Sequence, residues 1–386
     1  MSGWSLTVLL YIVPYGVIIM RNVGLYIHVP FCRSKCPYCD FYSLRSTDET
    51  LHGKYTDRVL ENLREWSDKD SFYADTLYFG GGTPSLIGGE NIARIVREAK
   101  RLFGVDGEIT VECNPYGIED GFFEALAGAG VNRISVGIQS INADERRVLG
   151  RLSNYNEIME CMESAVYAGI TNISGDVMIG IPGQTEKSLE NTLDFFESPY
   201  VKHISAYMLK IEEGTYYYNN IDKYDFPDDD TTADLYMYVC ERLTDSGYNH
   251  YEISNFAKPG FESKHNLKYW NCEDYIGVGP AAHSFLGGKR LSYPNDIEYF
   301  LSGKEVQQVD VGGGWEEYVM LRLRLSEGVV FNEFERLCGF ALPREVIERA
   351  EPFLRQGLIK LTEESLSLTR EGFLLSNTII SELIYG

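Results

Sequence analysis

The stretch Leu25-Tyr26-Ile27-His28-Val29-Pro30-Phe31-Cys32-Arg33-Ser34-Lys35-Cys36-Pro37-Tyr38-Cys39-Asp40-Phe41 decides the fold of this chain. Its first five residues are aromatic and β-branched, the composition of a buried strand. Three cysteines follow, at spacings of four and three residues. Three thiolates hold a metal centre and leave one position open. A structural zinc site closes with four ligands. A 4Fe–4S cluster, normally held by four cysteines, keeps one iron free when only three are supplied. The competing reading is a zinc knuckle, which needs a fourth ligand such as His28 or Asp40.

Outward from this stretch, strand-like runs alternate with amphipathic helical runs. Strands are predicted at 25–29, 76–79, 109–113, 133–137, 174–179 and 203–209. Helices are predicted at 51–66, 91–103, 120–127, 154–168 and 186–196. Strand followed by helix, repeated, is the pattern of parallel βα units in an α/β fold. No glycine-rich dinucleotide fingerprint opens the first helix, so a barrel or partial barrel fits better than a Rossmann sheet. In such a barrel, chemistry gathers at the C-terminal ends of the strands. The cysteine loop follows strand one, and Gly80-Gly81-Gly82-Thr83-Pro84 follows strand two. Glu112 ends strand three, Gln139 follows strand four, and Asp176 lies early in strand five. Alone, the glycines are a tight turn, and Glu112, Gln139, Arg151 and Asp176 are ordinary caps or surface pairs. Their shared placement gives them weight.

The chain divides into four parts. Residues 1–20 are an apolar leader: Trp4 to Met20 carries no charge, but it contains Pro14 and Gly16. It lacks the basic start and small-residue cleavage site of a signal peptide, and it is marginal for a membrane span. We read it as a non-native or mis-assigned leader, with a membrane anchor, and hence membrane association, as the second reading. Residues 21–232 form the barrel. Its last section, with Tyr216-Tyr217-Tyr218, connects onward, and Asp228-Asp229-Asp230 is a solvated loop or helix N-cap. Residues 233–310 extend the barrel. Residues 311–386 form a small helical unit, with helices at 315–324, 330–338 and 344–356 and a hairpin at 358–368, as in a winged helix. That unit carries 12 acidic and 8 basic residues, and the whole chain has a net charge of −22. This charge argues against nucleic-acid binding, which needs surplus Lys and Arg. Cys113, Cys161, Cys240, Cys272 and Cys338 are scattered and read as buried thiols. The clustered three read as metal ligands in a reducing cytoplasm.

The cysteine spacing, its place after strand one and Tyr38 directly before Cys39 resemble the radical S-adenosylmethionine (SAM) superfamily. The resemblance implies a (β/α)6 partial TIM-like barrel, a 4Fe–4S cluster on Cys32, Cys36 and Cys39, and SAM at the open iron. It narrows on Tyr26 to Cys32, the Gly-Gly-Gly-Thr-Pro turn, Gly137-Ile138-Gln139, the segment from Asp176 to Pro182 and the C-terminal unit. Together these are similar to the oxygen-independent coproporphyrinogen III oxidase group. By position, Tyr26, Gly81, Glu112 and the backbone near Tyr38 carry over as contacts to a first SAM. Gly82, Thr83, Gln139, Arg151 and Asp176 correspond to contacts with a second.

Two branches of that group differ two residues after the third cysteine. The oxidase has a fourth cysteine there, and this chain has Phe41. Cys39-Asp40-Phe41 resembles the haem chaperone (HemW) branch. So does His265-Asn266-Leu267-Lys268-Tyr269-Trp270, which is similar to that branch's His-Asn-x-x-Tyr-Trp haem motif. Imidazole is a standard haem-iron ligand, and Tyr269 and Trp270 offer aromatic faces with a polar handle. Asn266 suits a propionate. The resemblance implies a haem chaperone that passes haem, its cargo, to apo-haemoproteins such as respiratory enzymes. It also implies a reductant such as flavodoxin or ferredoxin, and a homodimer. Its rival is the oxidase reaction itself, oxidative decarboxylation of coproporphyrinogen III to protoporphyrinogen IX. A tRNA-modifying radical enzyme is a third reading, against which the acidic charge counts. His28 and His283 are lesser candidates, each as well explained by packing.

Overall fold

The computed structural model describes residues 8–13 and 16–386, with side chains from Met20 onward. Six parallel strands form its centre: β1 (Gly16–Val29), β2 (Phe72–Gly81), β3 (Glu108–Cys113), β4 (Arg133–Gln139), β5 (Asn172–Ile179) and β6 (Val201–Met208). They pair in sequence order, each parallel to the next. The helices between them include α1 (Glu49–Ser67), α2 (Gly89–Phe103), α3 (Phe122–Ala129), α4 (Tyr155–Tyr167) and α5 (Glu186–Phe196). Local signals set their ends. Asp48 accepts from the Thr50 amide at the start of α1, and Asn154 and Glu157 form a capping box at α4. Gly104, at φ +63°, ends α2.

The expected leader turns out differently. Strand β1 starts at Gly16, not Leu25, and Val8–Val13 pairs antiparallel with it, Val8 opposite Arg21 and Val13 opposite Gly16. Its β-branched residues suit a ladder better than a free tail. Residues 1–7 and 14–15 of the leader lie outside the described residues. Among the described residues, no helix is long and apolar enough to cross a membrane.

The sequence also missed a seventh parallel strand. Tyr275–Val278 lies beside β1, with Tyr275 opposite Gly24 and Val278 opposite Ile27. An antiparallel meander, His283–Leu286, Lys289–Ser292 and Gln307–Val311, extends the sheet from there. On the far side, β6 pairs antiparallel with Asn255–Ala257. The sheet is therefore an open, partial barrel. Beyond it, helices Trp315–Arg322, Phe331–Cys338 and Arg344–Arg355 pack with a small sheet of Val329–Val330, Ile359–Leu361 and Ser365–Leu368. Asp228 caps the helix Asp229–Asp245, accepting from the Thr231 amide at 2.8 Å.

Each barrel strand has two faces. Leu25, Ile27, Leu77, Phe79, Ile109, Val111, Ile134 and Val136 are buried in the apolar core beneath the helices. The alternate positions are polar and turn inward: Tyr26 and His28, Thr76 and Tyr78, Glu108 and Glu112, Arg133 and Ser135, Ser174 and Asp176, His203 and Ser205. This lining builds the sites at the two ends of the barrel.

Candidate functional site

A cavity of about 480 Å³ opens at the C-terminal ends of the strands. The loop after β1 brings Cys32, Cys36 and Cys39 to one side of it, all as free, partly exposed thiols. The Cys39 amide donates to the Cys36 carbonyl at 3.2 Å, which closes a tight turn between the last two. Thr83 donates its hydroxyl to Cys32 Sγ at 3.5 Å, and Arg151 Nη1 stands 4.0 Å from Cys36 Sγ. Burial raises the Cys32 and Cys39 thiols above their ordinary values. A coordinating metal reverses this, because it deprotonates the thiol outright. Among the described residues, no three His, Cys, Asp or Glu side chains converge on one point as a single ion requires. A polynuclear cluster asks for something else, one thiolate for each of several irons.

The glycine turn forms the next wall. Gly81 has φ +105°, and a Cβ there would lie 2.6 Å from the His28 ring. A Cβ on Gly82 would meet the Phe31 and Val29 carbonyl oxygens at 2.7 and 2.9 Å. Only a bare backbone fits, so the turn lets a ligand approach closely, while its Gly82 and Thr83 amides donate to the Val29 and Phe31 carbonyls at 2.8 Å.

Opposite the thiols stand two carboxylates. Glu112 accepts from the Tyr78 hydroxyl at 2.8 Å, and Asp176 from Ser135 at 3.2 Å. Burial, then repulsion from Asp176, pushes Glu112 up to about 7. Burial raises Asp176 to about 6, against the pull of Ser135, Arg133 and Arg151. Two enclosed acids that repel each other suit a ligand with a positive charge or hydroxyl donors. Gln139 adds an acceptor. It sits at φ 68°, unusual for a residue with a side chain, and its Oε1 is buried without a protein partner.

The cavity thus gathers Cys32, Cys36, Tyr38 and Cys39 with Gly81, Gly82, Thr83, Glu112, Gln139, Arg151 and Asp176. Tyr26 is the exception among the SAM residues expected from the sequence. It stands behind the wall, stacked on Tyr78 at 6.2 Å and on His265 at 6.4 Å, with its hydroxyl 3.2 Å from His28 Nδ1. The strand alternation that aims Glu112 at the cavity keeps Tyr26 one layer below it. His28 is buried between Tyr26 and the Tyr42 carbonyl, and His283 is exposed.

The expected haem residues lie elsewhere, at the barrel floor. They form α6 (Lys264–Trp270). His265 is fully buried, with Nδ1 2.9 Å from Thr76 Oγ1 and Nε2 2.8 Å from the Tyr269 hydroxyl. Burial first, then Lys268 and Arg133, holds its pKa down to about 3, so the ring is neutral. Tyr269 therefore points inward, while Trp270 lies under the Arg324 guanidinium, 4.8 Å from its ring. Tyr269 and Trp270 thus pack against different neighbours. The barrel interior satisfies the imidazole.

Sequence reasoning missed Thr76, Glu108, Arg133 and Ser135, which surround these groups. The signal was present: strands buried on both faces usually read as continuous apolar runs, yet these alternate with polar residues. It also missed that Tyr217 donates its amide to Pro37 at 3.0 Å, which packs the tyrosine-rich connection on the cysteine loop.

Comparison with known proteins agrees with this geometry. The model of the radical SAM superfamily matches residues 26–196, and that of the HemN C-terminal domain matches residues 314–375. The heme chaperone HemW of Haemophilus influenzae is 35% identical over 379 residues, covering 93% of this chain and 97% of that protein. The heme chaperone HemW of Escherichia coli is 34% identical, with 93% and 97% covered. Among solved structures, coproporphyrinogen III oxidase (HemN) from Escherichia coli, a radical SAM enzyme, superposes with a TM-score of 0.82 at 20% identity, covering 95% of this chain and 91% of that one. At that identity the likeness is one of fold.

Proposed function

We propose a function that proceeds from one established premise: the chain belongs to the heme chaperone HemW family. It binds haem and delivers it to apo-haemoproteins such as respiratory enzymes. One observation carries this over the oxidase reading. Position 41, where the oxidase branch has its fourth cysteine, holds a phenylalanine, 61% exposed at the cavity mouth beside the three thiols.

The residues present fit a cluster and SAM. Among the described residues, Cys32, Cys36 and Cys39 are the only cysteines on the cavity wall other than Cys113, whose thiol is buried and turned to the Val111 carbonyl. They would hold a 4Fe–4S cluster with one iron free, and the bare backbone at Gly81 and Gly82 lets the methionine end of SAM approach closely. Glu112 and Asp176 meet its amino or hydroxyl groups, and Gln139 offers its unpartnered oxygen. Thr83 and Arg151 orient the thiols they touch, with Tyr38 packed between. Once bound, such a pair supplies one-electron chemistry; the protein's share is to hold, orient and shield it. A reductant such as flavodoxin or ferredoxin would feed it from the cytoplasm, and a homodimer would be the working form.

His265 is the iron ligand of this proposal, with Asn266, Tyr269 and Trp270 around the porphyrin. The test is a haem titration of anaerobically reconstituted protein, followed by absorbance in wild type and His265→Ala, beside an assay of coproporphyrinogen turnover with SAM and reductant. We expect stoichiometric binding by wild type, at least tenfold weaker binding by the variant, and no turnover. Robust decarboxylation without stoichiometric haem binding would replace the chaperone with the oxidase.

A further inference from the structure

His265 is the buried centre of α6, and a haem cannot reach it there. The way α6 is held suggests how that changes. A helix that belongs permanently to a core buries an apolar stripe. The side chains that α6 buries are instead His265 and Lys268. Its anchors are polar. Glu108 of β3 accepts from the Lys264 and His265 amides, each at 3.2 Å, in place of a local cap. Thr76 and Tyr269 clasp the imidazole, and Lys268 Nζ lies 2.9 Å from both Asp75 and Glu273. Gly24 makes the room: a Cβ there would sit 3.0 Å from Lys268 Cδ and 3.1 Å from His265 Cε1. The Thr76 bond to the neutral imidazole exchanges readily for a bond to water, so it holds the helix by only about 1 kcal/mol net.

The fit at the helix ends is incomplete. Ser263 Oγ and Trp270 Nε1, flanking α6, are buried without a protein partner. The backbone on either side has joints. Gly260 has φ +85° with open space around its Cβ position, and Cys272 has φ 57°, where a side chain is strained.

We propose that α6 is a latch. His265 is stored in the barrel floor and is offered to haem only when α6 swings out about Gly260 and Cys272. Thr76 and Glu108 act as positioning residues that set how often it is closed. This inference rests on the reading of His265 as the haem ligand, and it adds that the ligand is gated.

The test uses the full chain, with haem itself as the probe. Thr76→Val removes the clasp at unchanged shape, and Glu108→Gln weakens the anchor without touching the imidazole. Amide hydrogen exchange over residues 261–272 and the rate of haem association are measured in both. Loss of one such bond should raise both quantities about fivefold in Thr76→Val. Glu108→Gln should shift them the same way, and it carries the test if Thr76→Val does not fold. Unchanged exchange and association in the folded variants would overturn the latch. So would faster exchange in the variants with unchanged haem association, where the wild type binds haem through His265. Faster exchange in a protein that binds no haem would leave the motion standing and overturn the haem reading instead.

Discussion

At the mouth of the barrel, the thiols of Cys32, Cys36 and Cys39, the carboxylates of Glu112 and Asp176 and the Gly81-Gly82 turn face about 480 Å³ of open volume. At the floor, His265 of α6 is buried, as are His203 and Arg133, and they are bonded to protein: His203, for example, lies 2.8 Å from both Ser174 and Tyr251. Both ends are lined by the same inward positions of the same strands. They differ in what covers them. The mouth is ringed by loops, which cannot fill it, while the floor receives a helix that brings its own polar partners. The mouth is built to bind something that arrives, and the floor to store something already present. Tyr78 joins the two, donating to Glu112 above and stacking on His265 at 5.2 Å below.

The largest test of this contrast is removal of the thiols. Cys36→Ala should abolish iron and sulfide incorporation and leave the fold intact, because the thiol touches the cavity and not the core. Iron and sulfide analysis beside a melting curve checks both halves. Next is the floor. Arg133 is fully buried; burial opposes its charge, but the carboxylates of Glu108 and Asp176 sustain it. Arg133→Met leaves those groups without their cation and should cost about 3–5 kcal/mol in denaturant unfolding. Back at the mouth, Gly82→Ala forces a Cβ against two backbone oxygens that cannot yield. It should cost about 1–3 kcal/mol and weaken SAM binding more than it weakens the fold.

The smallest effect is a difference in pH dependence between the ends. Glu112 is raised from 4.5 to about 7, so the native state holds its proton longer than the unfolded chain does, and stability falls as pH rises through that window. His203 is held well below 6.5, by burial and then by Arg133, so the unfolded chain takes the proton first. Its contribution is present above pH 6.5 and is lost as pH falls below that. Glu112→Gln should therefore flatten the alkaline side of a melting-temperature profile, and His203→Gln the acidic side. Identical profiles for the two variants would mean that the ends do not differ electrostatically.

Much of the mouth was legible in the chain. Cysteine spacing is fixed by covalent geometry, and the ends of predicted strands locate the residues that follow them. The glycine turn, Glu112, Gln139 and Asp176 were found this way because a parallel barrel puts every such end on one face. The floor was not legible. The motif marked His265 as a haem ligand, and nothing local tells that Gly24, Thr76 and Glu108, from three strands, meet it. Tyr26 lies one layer below the cavity, a depth that the motif naming it does not give.

By itself, then, the sequence determined the βα repeat, the cysteine loop and the chemistry of the mouth, all set by short-range periodicity and spacing. Only the tertiary structure decided which side chains are within reach of a ligand. That depends on contacts between residues far apart in the chain, as Thr76 and His265 are at 189 positions. Burial on that scale makes an imidazole a stored group in the floor, and the lack of it leaves the thiols exposed at the mouth.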